Sequence, residues 1–204
     1  MTPLHLLQRS GLLACSLALA ACSILPKADP QTVYRLPPAS TNASANAATR
    51  GDRPALRIAT PYASRSVDSE RILVLPEGDV VKSYAGARWS DPAPVLVRDR
   101  LLEAFQGDGR FGSLSGDQSN IAAAIELTGS LQAFQSEYRN GAPTIVIVYD
   151  ARMIDTGTRR QLAAQRFSVT QAVDGSQLPN VVSAFGRASD RLAAEVVAWA
   201  AGIR

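Results

Sequence analysis

Very few side chains in this 204-residue chain can do chemistry, and their placement is unusual. There are two cysteines, Cys15 and Cys22, and one histidine, His5, all within the first 22 residues. A cysteine can be a disulfide half, a metal ligand, a nucleophile or an attachment point, and its surroundings decide which. Cys22 closes the run LALAACS (Leu17–Ser23). The segment before it has the three parts of a secretory signal. These are a short leading region with Arg9 as its fixed positive charge, an apolar stretch from Gly11 to Ala20, and small residues at the cleavage point. That stretch is too short to span a bilayer comfortably, which takes roughly 20 apolar residues.

Leu19-Ala20-Ala21-Cys22 resembles the bacterial lipobox. The resemblance implies thioether attachment of diacylglycerol to Cys22, cleavage after Ala21 and N-acylation of the new amino terminus. An ordinary signal peptide cut near Ala20 would instead leave Cys22 as a free thiol, a liability in an oxidising compartment. Each buried methylene contributes roughly 0.8 kcal/mol, so several acyl chains make an effectively permanent anchor. In lipoproteins of Gram-negative bacteria an Asp after the cysteine tends to retain the protein at the inner membrane. Ser23 therefore favours the outer membrane. Cleavage also removes His5 and Cys15, so the mature chain has no histidine and no free thiol. Histidine-based triads, cysteine nucleophiles and His/Cys zinc sites go with them.

The other chemical possibilities are thinner. Gly107-Asp-Gly109-Arg-Phe-Gly112 matches G-x-G-x-x-G, but a dinucleotide site needs that loop after a strand and before a helix. Here a helix precedes it, and the glycines read as a helix-ending loop. A glycosidase needs only two acids, yet Asp91 reads as a helix cap, Asp155 as a turn residue and Glu126 as the wet side of a strand. A serine–lysine pair would have to use Lys82 or Lys27, and no recognised motif surrounds either. The expectation is a protein that is not an enzyme and takes no cofactor and no metal. Twenty-one Lys and Arg against eighteen Asp and Glu give a net charge of +3, and Arg9 leaves with the signal. An exported, nearly balanced chain implies no nucleic-acid partner.

Three segments carry these residues: a signal peptide (1–21), a lipidated N-terminus and tether (22–54), and one domain (55–204). The tether is rich in Ala, Ser, Asn and Pro, with a candidate short strand at 32–36. In the domain, ALRIATPY and RILVLP read as strands, the second central, and DVVKSYAGARW as a further short one. Asp91 and Pro92 mark the start of a helix running to about Phe105, with Val97, Leu101, Ala104 and Phe105 as its buried stripe. Residues 121–134 alternate, with Ile121, Ala123, Ile125, Leu127, Gly129, Leu131 and Ala133 on one face. Asn140-Gly141 is a hairpin signal, TIVIVYDARMID the returning strand, Asp155–Thr158 a second turn and QLAAQRFSVT a third strand. A last helix, about 179–201, buries Val181, Phe185, Ala188, Leu192, Val196 and Trp199. These elements predict an α+β fold: a two-layer sandwich of a mostly antiparallel sheet with two amphipathic helices on one face.

YAGARWSDP (Tyr84–Pro92) is the most distinctive internal stretch. Tyr84, Arg88 and Trp89 are residue types that dominate interface energetics and make a candidate partner surface. The plainer reading has Trp89 as a lid on the core and Arg88 in a nearby salt bridge. At these residues the chain resembles the ABC-type transport auxiliary lipoproteins, which include the paraquat-inducible lipoprotein family and the auxiliary subunits of MCE (mammalian-cell-entry) systems. Cys22, Tyr34-Arg35-Leu36, the Tyr84…Arg88-Trp89 block with Asp91-Pro92, ELTGSLQAF, ARMIDTGTRRQLAAQRF and AFGRASDRLAAEVVAWA carry the resemblance. One departure is the long Ala/Asn tether after Leu36.

The resemblance implies a non-catalytic outer-membrane lipoprotein facing the periplasm. It would dock an MCE-family protein whose permease and ATPase sit in the inner membrane, with phospholipids or other hydrophobic molecules as cargo. A homo-oligomer would suit a ring-forming MCE partner. The alternative from another class is an outer-membrane assembly lipoprotein that chaperones a β-barrel or lipopolysaccharide component. A direct lipid carrier ranks third, because side chains fill the expected space between sheet and helices.

Overall fold

The computed structural model describes residues 30–39, 54–119 and 121–203. Among these residues, nine strands and two helices follow in the order β1 (Thr32–Tyr34), β2 (Leu56–Ile58), β3 (Tyr62–Ala63), β4 (Arg71–Leu75), β5 (Lys82–Trp89), α1 (Ala93–Asp108), β6 (Leu114–Gly116), β7 (Ile125–Arg139), β8 (Ala142–Asp155), β9 (Gln161–Ala172) and α2 (Leu178–Ala201). The expected signal peptide, Cys22, Lys27 and most of the expected tether lie outside the described residues.

The strands form one open, mixed sheet with β7 as its spine. Along one edge β7 pairs antiparallel with β8 over nearly its full length, and β8 with β9. Along the other edge it takes three short parallel partners in succession: β2 at 125–127, β3 at 130–131 and β4 at 135–137. β6 extends the sheet beyond β2, and β5 then β1 extend it beyond β4. The long ladders are antiparallel as expected. The short crossovers that sequence patterning does not specify are parallel. β1 pairs with β5, in register Thr32 to Ala87, so this short strand belongs to the sheet.

Both helices cover one face and touch each other, α1 lying against β2 and β6 and α2 against β8 and β9. Leu127, Leu131, Ile145, Ile147, Tyr149, Phe167 and Val169 from the sheet join Val97, Leu101, Phe105, Val181, Phe185, Leu192 and Val196 from the helices in one core. Burying these side chains supplies the main driving force for the fold. Strict alternation along β7 would turn Phe134 to the wet side. A bulge between Leu131 and Ala133 resets the phase, and Phe134 enters the core. The strand also starts later than its pattern suggests, at Ile125, and Ile121 is exposed.

Gly129 is required by its neighbour across the ladder. A Cβ there would lie 2.2 Å from the Asp150 carbonyl oxygen and 2.7 Å from Tyr149 Cε2. The bare backbone lets the Tyr149 ring lie over β7 and donate its hydroxyl to the Thr128 carbonyl at 3.2 Å. The Asn140-Gly141 turn has φ of 52° and 77°, the positive values that a two-residue hairpin of this twist needs.

The start of α1 departs from expectation. Asp91 caps nothing: Pro92 occupies the cap position and no side chain bonds the first turn. The reason is that little is left to cap. Pro94 has no N–H, and the Ala93 N–H donates to the Ser69 carbonyl at 3.3 Å. At the far end, Gly109 takes φ 70° and donates its N–H to the Phe105 carbonyl, a left-handed stop. The glycine-rich loop therefore follows a helix and precedes β6, with Phe111 packed edge-on against Phe105. That geometry points no helix amides at a phosphate.

Candidate functional site

The aromatic–arginine block folds as two separate features. Arg71 pairs with Arg88 while Leu73 pairs with Ser83, so β5 carries extra residues here, and Gly86 at φ 66° takes up the excess. The bulge leaves Tyr84 toward the β4–β5 hairpin and Arg88 and Trp89 beside α1.

Trp89 is 0 % exposed. Its ring meets Phe185 edge-on at 5.2 Å and Phe134 at 6.1 Å, locking α2 to β7. Its Nε1 finds no hydrogen-bond partner among the described residues. A side chain with no exposed surface cannot meet a partner, so Trp89 leaves the candidate interface and serves the core. Arg88 donates to Glu70 at 2.6 Å and to the Trp89 carbonyl at 3.2 Å, and stays partly exposed. Tyr84 is half-buried and donates to Ser136 Oγ at 3.3 Å. Burial pushes its hydroxyl above the usual tyrosine range against that hydrogen bond, with neighbouring Tyr138 adding to the rise.

A second centre, missed in the sequence, forms around Arg100. This residue sits within the apolar stripe of α1 and its side chain is 5 % exposed. It donates to Asp190 on α2 and to the Pro37 carbonyl just beyond β1, with Glu103 at 3.7 Å. Pro37 in turn packs on Gly186 of α2, where a Cβ would stand 3.1 Å from the proline ring. The Ser90 N–H donates to the Tyr34 carbonyl at 2.8 Å. One buried cation, one glycine and one ladder therefore hold the N-terminal strand in place. Beside it runs an open groove of about 610 Å³, with Val33–Pro38 as one wall and Leu96, Asp99, Arg100 and Glu103 among the other. The signal available in sequence was a cation at position 100, between Val97, Leu101 and Ala104, which must be paired if the stripe is buried.

Two of the three acids weighed as catalytic candidates, Glu126 and Asp155, have structural partners, as does Asp150. Glu126 binds Arg57 at 2.5 Å. Asp150 binds Arg166 through two bonds of 2.6 and 2.7 Å. The Thr158 N–H and then its hydroxyl hold the Asp155 carboxyl below its usual range. Among the described residues no group of three or more His, Cys, Asp or Glu is placed to hold a metal ion. No helix among them is long and apolar enough to cross a membrane.

The hairpin end of the sheet is different in character. Val80 and Val81 in the β4–β5 connection are each 52 % exposed, and Tyr138 at the end of β7 is 38 % exposed. With Tyr84 they gather apolar and aromatic surface from two hairpins at one end. Sequence patterning does not single out this patch, because it reads Val80 and Val81 as part of the strand in DVVKSYAGARW, whereas β5 begins only at Lys82 and leaves them in the connection.

A family model described as the ABC-type transport auxiliary lipoprotein component matches residues 34–197, from the last residue of β1 to near the end of α2. The crystal structure of protein XCC0632 from Xanthomonas campestris superposes with a TM-score of 0.71 at 24 % identity, covering 83 % of this chain and 94 % of that one. The structure of a hypothetical protein from Chlamydia trachomatis gives a TM-score of 0.52 at 10 % identity over 74 % of this chain and 97 % of the other. At these identities the likeness is one of fold. An uncharacterized protein of Bradyrhizobium diazoefficiens is 25 % identical over 171 residues, 84 % of this chain but 43 % of its own. The chain thus spans less than half the length of that relative.

Proposed function

Because this chain belongs to the ABC-type transport auxiliary lipoprotein component family, we propose that it is the docking subunit of an MCE-type ABC lipid transporter. It is held in the outer membrane by acyl chains on Cys22, faces the periplasm and does no catalysis. The observation that carries this reading is the extent of the family match. It takes in the sheet, both helices and the end of β1, so the family unit is the whole folded domain. The side chains support a binding role. The buried cations are engaged in holding the fold, and the groove beside β1 and the apolar hairpin end are among the surfaces left open. Ser23 after Cys22 supports the outer membrane over the inner. ATP hydrolysis and the membrane channel belong to the partner complex.

The test uses the full chain purified in detergent from its own membrane and immobilised. Solubilised envelope is passed over it. Recovery of an MCE-family protein with its permease and ATPase supports the reading. Their absence from the eluate, under conditions where a known lipoprotein–partner pair is recovered, overturns it. Mass spectrometry of the N-terminal peptide reads the acylation directly, and Cys22→Ala abolishes it.

A further inference from the structure

β1 runs parallel to β5, with Thr32 beside Ala87. β5 itself runs away from the β4–β5 hairpin. The chain that precedes Thr32 therefore enters the domain from the hairpin end of the sheet. That is the end where Val80, Val81 and Tyr138 are exposed. The parallel pairing of β4 with β7, Leu75 to Glu137, puts the two hairpin tips side by side. The β9–α2 connection reaches the same end, since Ala172 pairs with Thr144 at the start of β8.

The distances agree with this arrangement. From the level of Ala87 back to Lys82 is five residues of strand, about 17 Å. Cys22 to Pro30 is nine residues, which extend to at most roughly 30 Å. A chain fixed to a bilayer at Cys22 is long enough for the hairpin tips to meet that bilayer and too short to carry the domain far from it. Two adjacent valines and a tyrosine on neighbouring hairpin tips have the chemistry of an interfacial contact, an apolar body with a polar edge at headgroup level. Electrostatic attraction contributes little. Glu77 and Asp79 on one side of the valines offset Lys82 on the other, and Arg139 is engaged by Glu137 at 2.9 Å.

We propose that Val80, Val81 and Tyr138 form the membrane-facing end of the domain and rest in the headgroup region of the lipid surface that holds the N-terminus. The groove beside β1 and the β9 edge are thereby left for protein partners. This rests on acylation of Cys22.

Val81→Cys and Tyr138→Cys are made in the full chain, which is purified with its acyl chains and labelled with an environment-sensitive fluorophore. Leu162→Cys is the control. It is 42 % exposed at the start of β9, at the opposite end of the sheet. Acylation occupies the Cys22 sulfur, so the parent chain takes no label. The proteins are reconstituted into vesicles of phosphatidylethanolamine with a minor share of phosphatidylglycerol. Blue-shifted emission at positions 81 and 138, quenched by lipids brominated high on the acyl chain and insensitive to added salt, is expected. Position 162 should show neither effect. If the protein floats with the vesicles but 81 and 138 behave like 162, the proposal is overturned. It is also overturned if those labels respond to added MCE protein and not to lipid. Failure to float, or labelling of the parent chain at Cys22, would instead remove the acylation on which the proposal stands.

Discussion

Pro37 of the N-terminal segment rests on Gly186 of α2, so close that a methyl group on Gly186 would stand 3.1 Å from the proline Cβ and Cγ. The contact fixes the segment that leaves β1 against the last helix of the chain. In a helix interior, replacing Gly by Ala gains up to about 1 kcal/mol of propensity. Here that gain meets a ring that must shift by a few tenths of an ångström. Gly186→Ala should therefore leave global stability within about 1 kcal/mol of the parent. Gly186→Leu leaves no room for the ring. Amide exchange at Thr32–Tyr34 should rise sharply in Gly186→Leu while β7 and β8 keep their protection.

The Arg100–Asp190 pair should respond unequally to removal of its two members. The Arg100 side chain is 5 % exposed and that of Asp190 24 %. Losing the carboxylate leaves the buried cation with only the Pro37 carbonyl and Glu103 at 3.7 Å, which costs about 2–3 kcal/mol. Losing the guanidinium leaves a carboxylate within reach of water. Asp190→Asn is expected to destabilise more than Arg100→Met in urea unfolding. Arg100→Met should also release the segment around Pro37. Equal losses would mean that the pair is screened by solvent.

Trp89 and Arg88 are adjacent in sequence and opposite in role. Trp89→Ala removes the ring that Phe134 and Phe185 pack against and should cost about 3–5 kcal/mol. Arg88→Ala breaks a partly exposed ion pair with Glu70 and should cost less than about 1 kcal/mol. Trp89→Phe keeps most of the packing. If it folds, it should capture the proposed MCE partner as well as the parent does. A selective loss of capture in well-folded Trp89→Phe would return Trp89 to the interface.

Much of this architecture is legible in sequence because it is local. The alternation of 125–131, the Asn140-Gly141 turn and the stripe from Val181 to Val196 are each written in neighbouring residues. Other features depend on residues far apart. The bulge at Leu131/Ala133 turns Phe134 inward because Trp89 and Phe185 wait for it there. β1 looks like part of a tether because its partners, β5, Arg100 and Gly186, lie 50 to 150 residues away. Asp91 has the right type for a cap, but the Ser69 carbonyl takes the one amide that needed it. The candidate interface was only partly legible. Tyr84 lies at the hairpin end, whereas the pairing of β4 with β7 is what brings Tyr138 beside it.

The Tyr149 hydroxyl should give the fold an alkaline limit. The side chain is 0 % exposed, and burial pushes its pKa well above the usual tyrosine value. In the unfolded chain this hydroxyl loses its proton near pH 10. The folded chain keeps the proton to higher pH, so the unfolded state binds fewer protons above pH 10 and stability falls as pH rises. Its contribution is complete below pH 10 and declines by about 1.4 kcal/mol per pH unit above it. Tyr84, whose pKa is also raised, adds a smaller decline in the same direction. Tyr149→Phe gives up the hydrogen bond to the Thr128 carbonyl, roughly 1 kcal/mol at neutral pH. In return it should flatten the alkaline slope. Urea unfolding of the parent and the variant between pH 8 and pH 11 reads both effects. Parallel slopes in the two proteins would show that another group sets the limit.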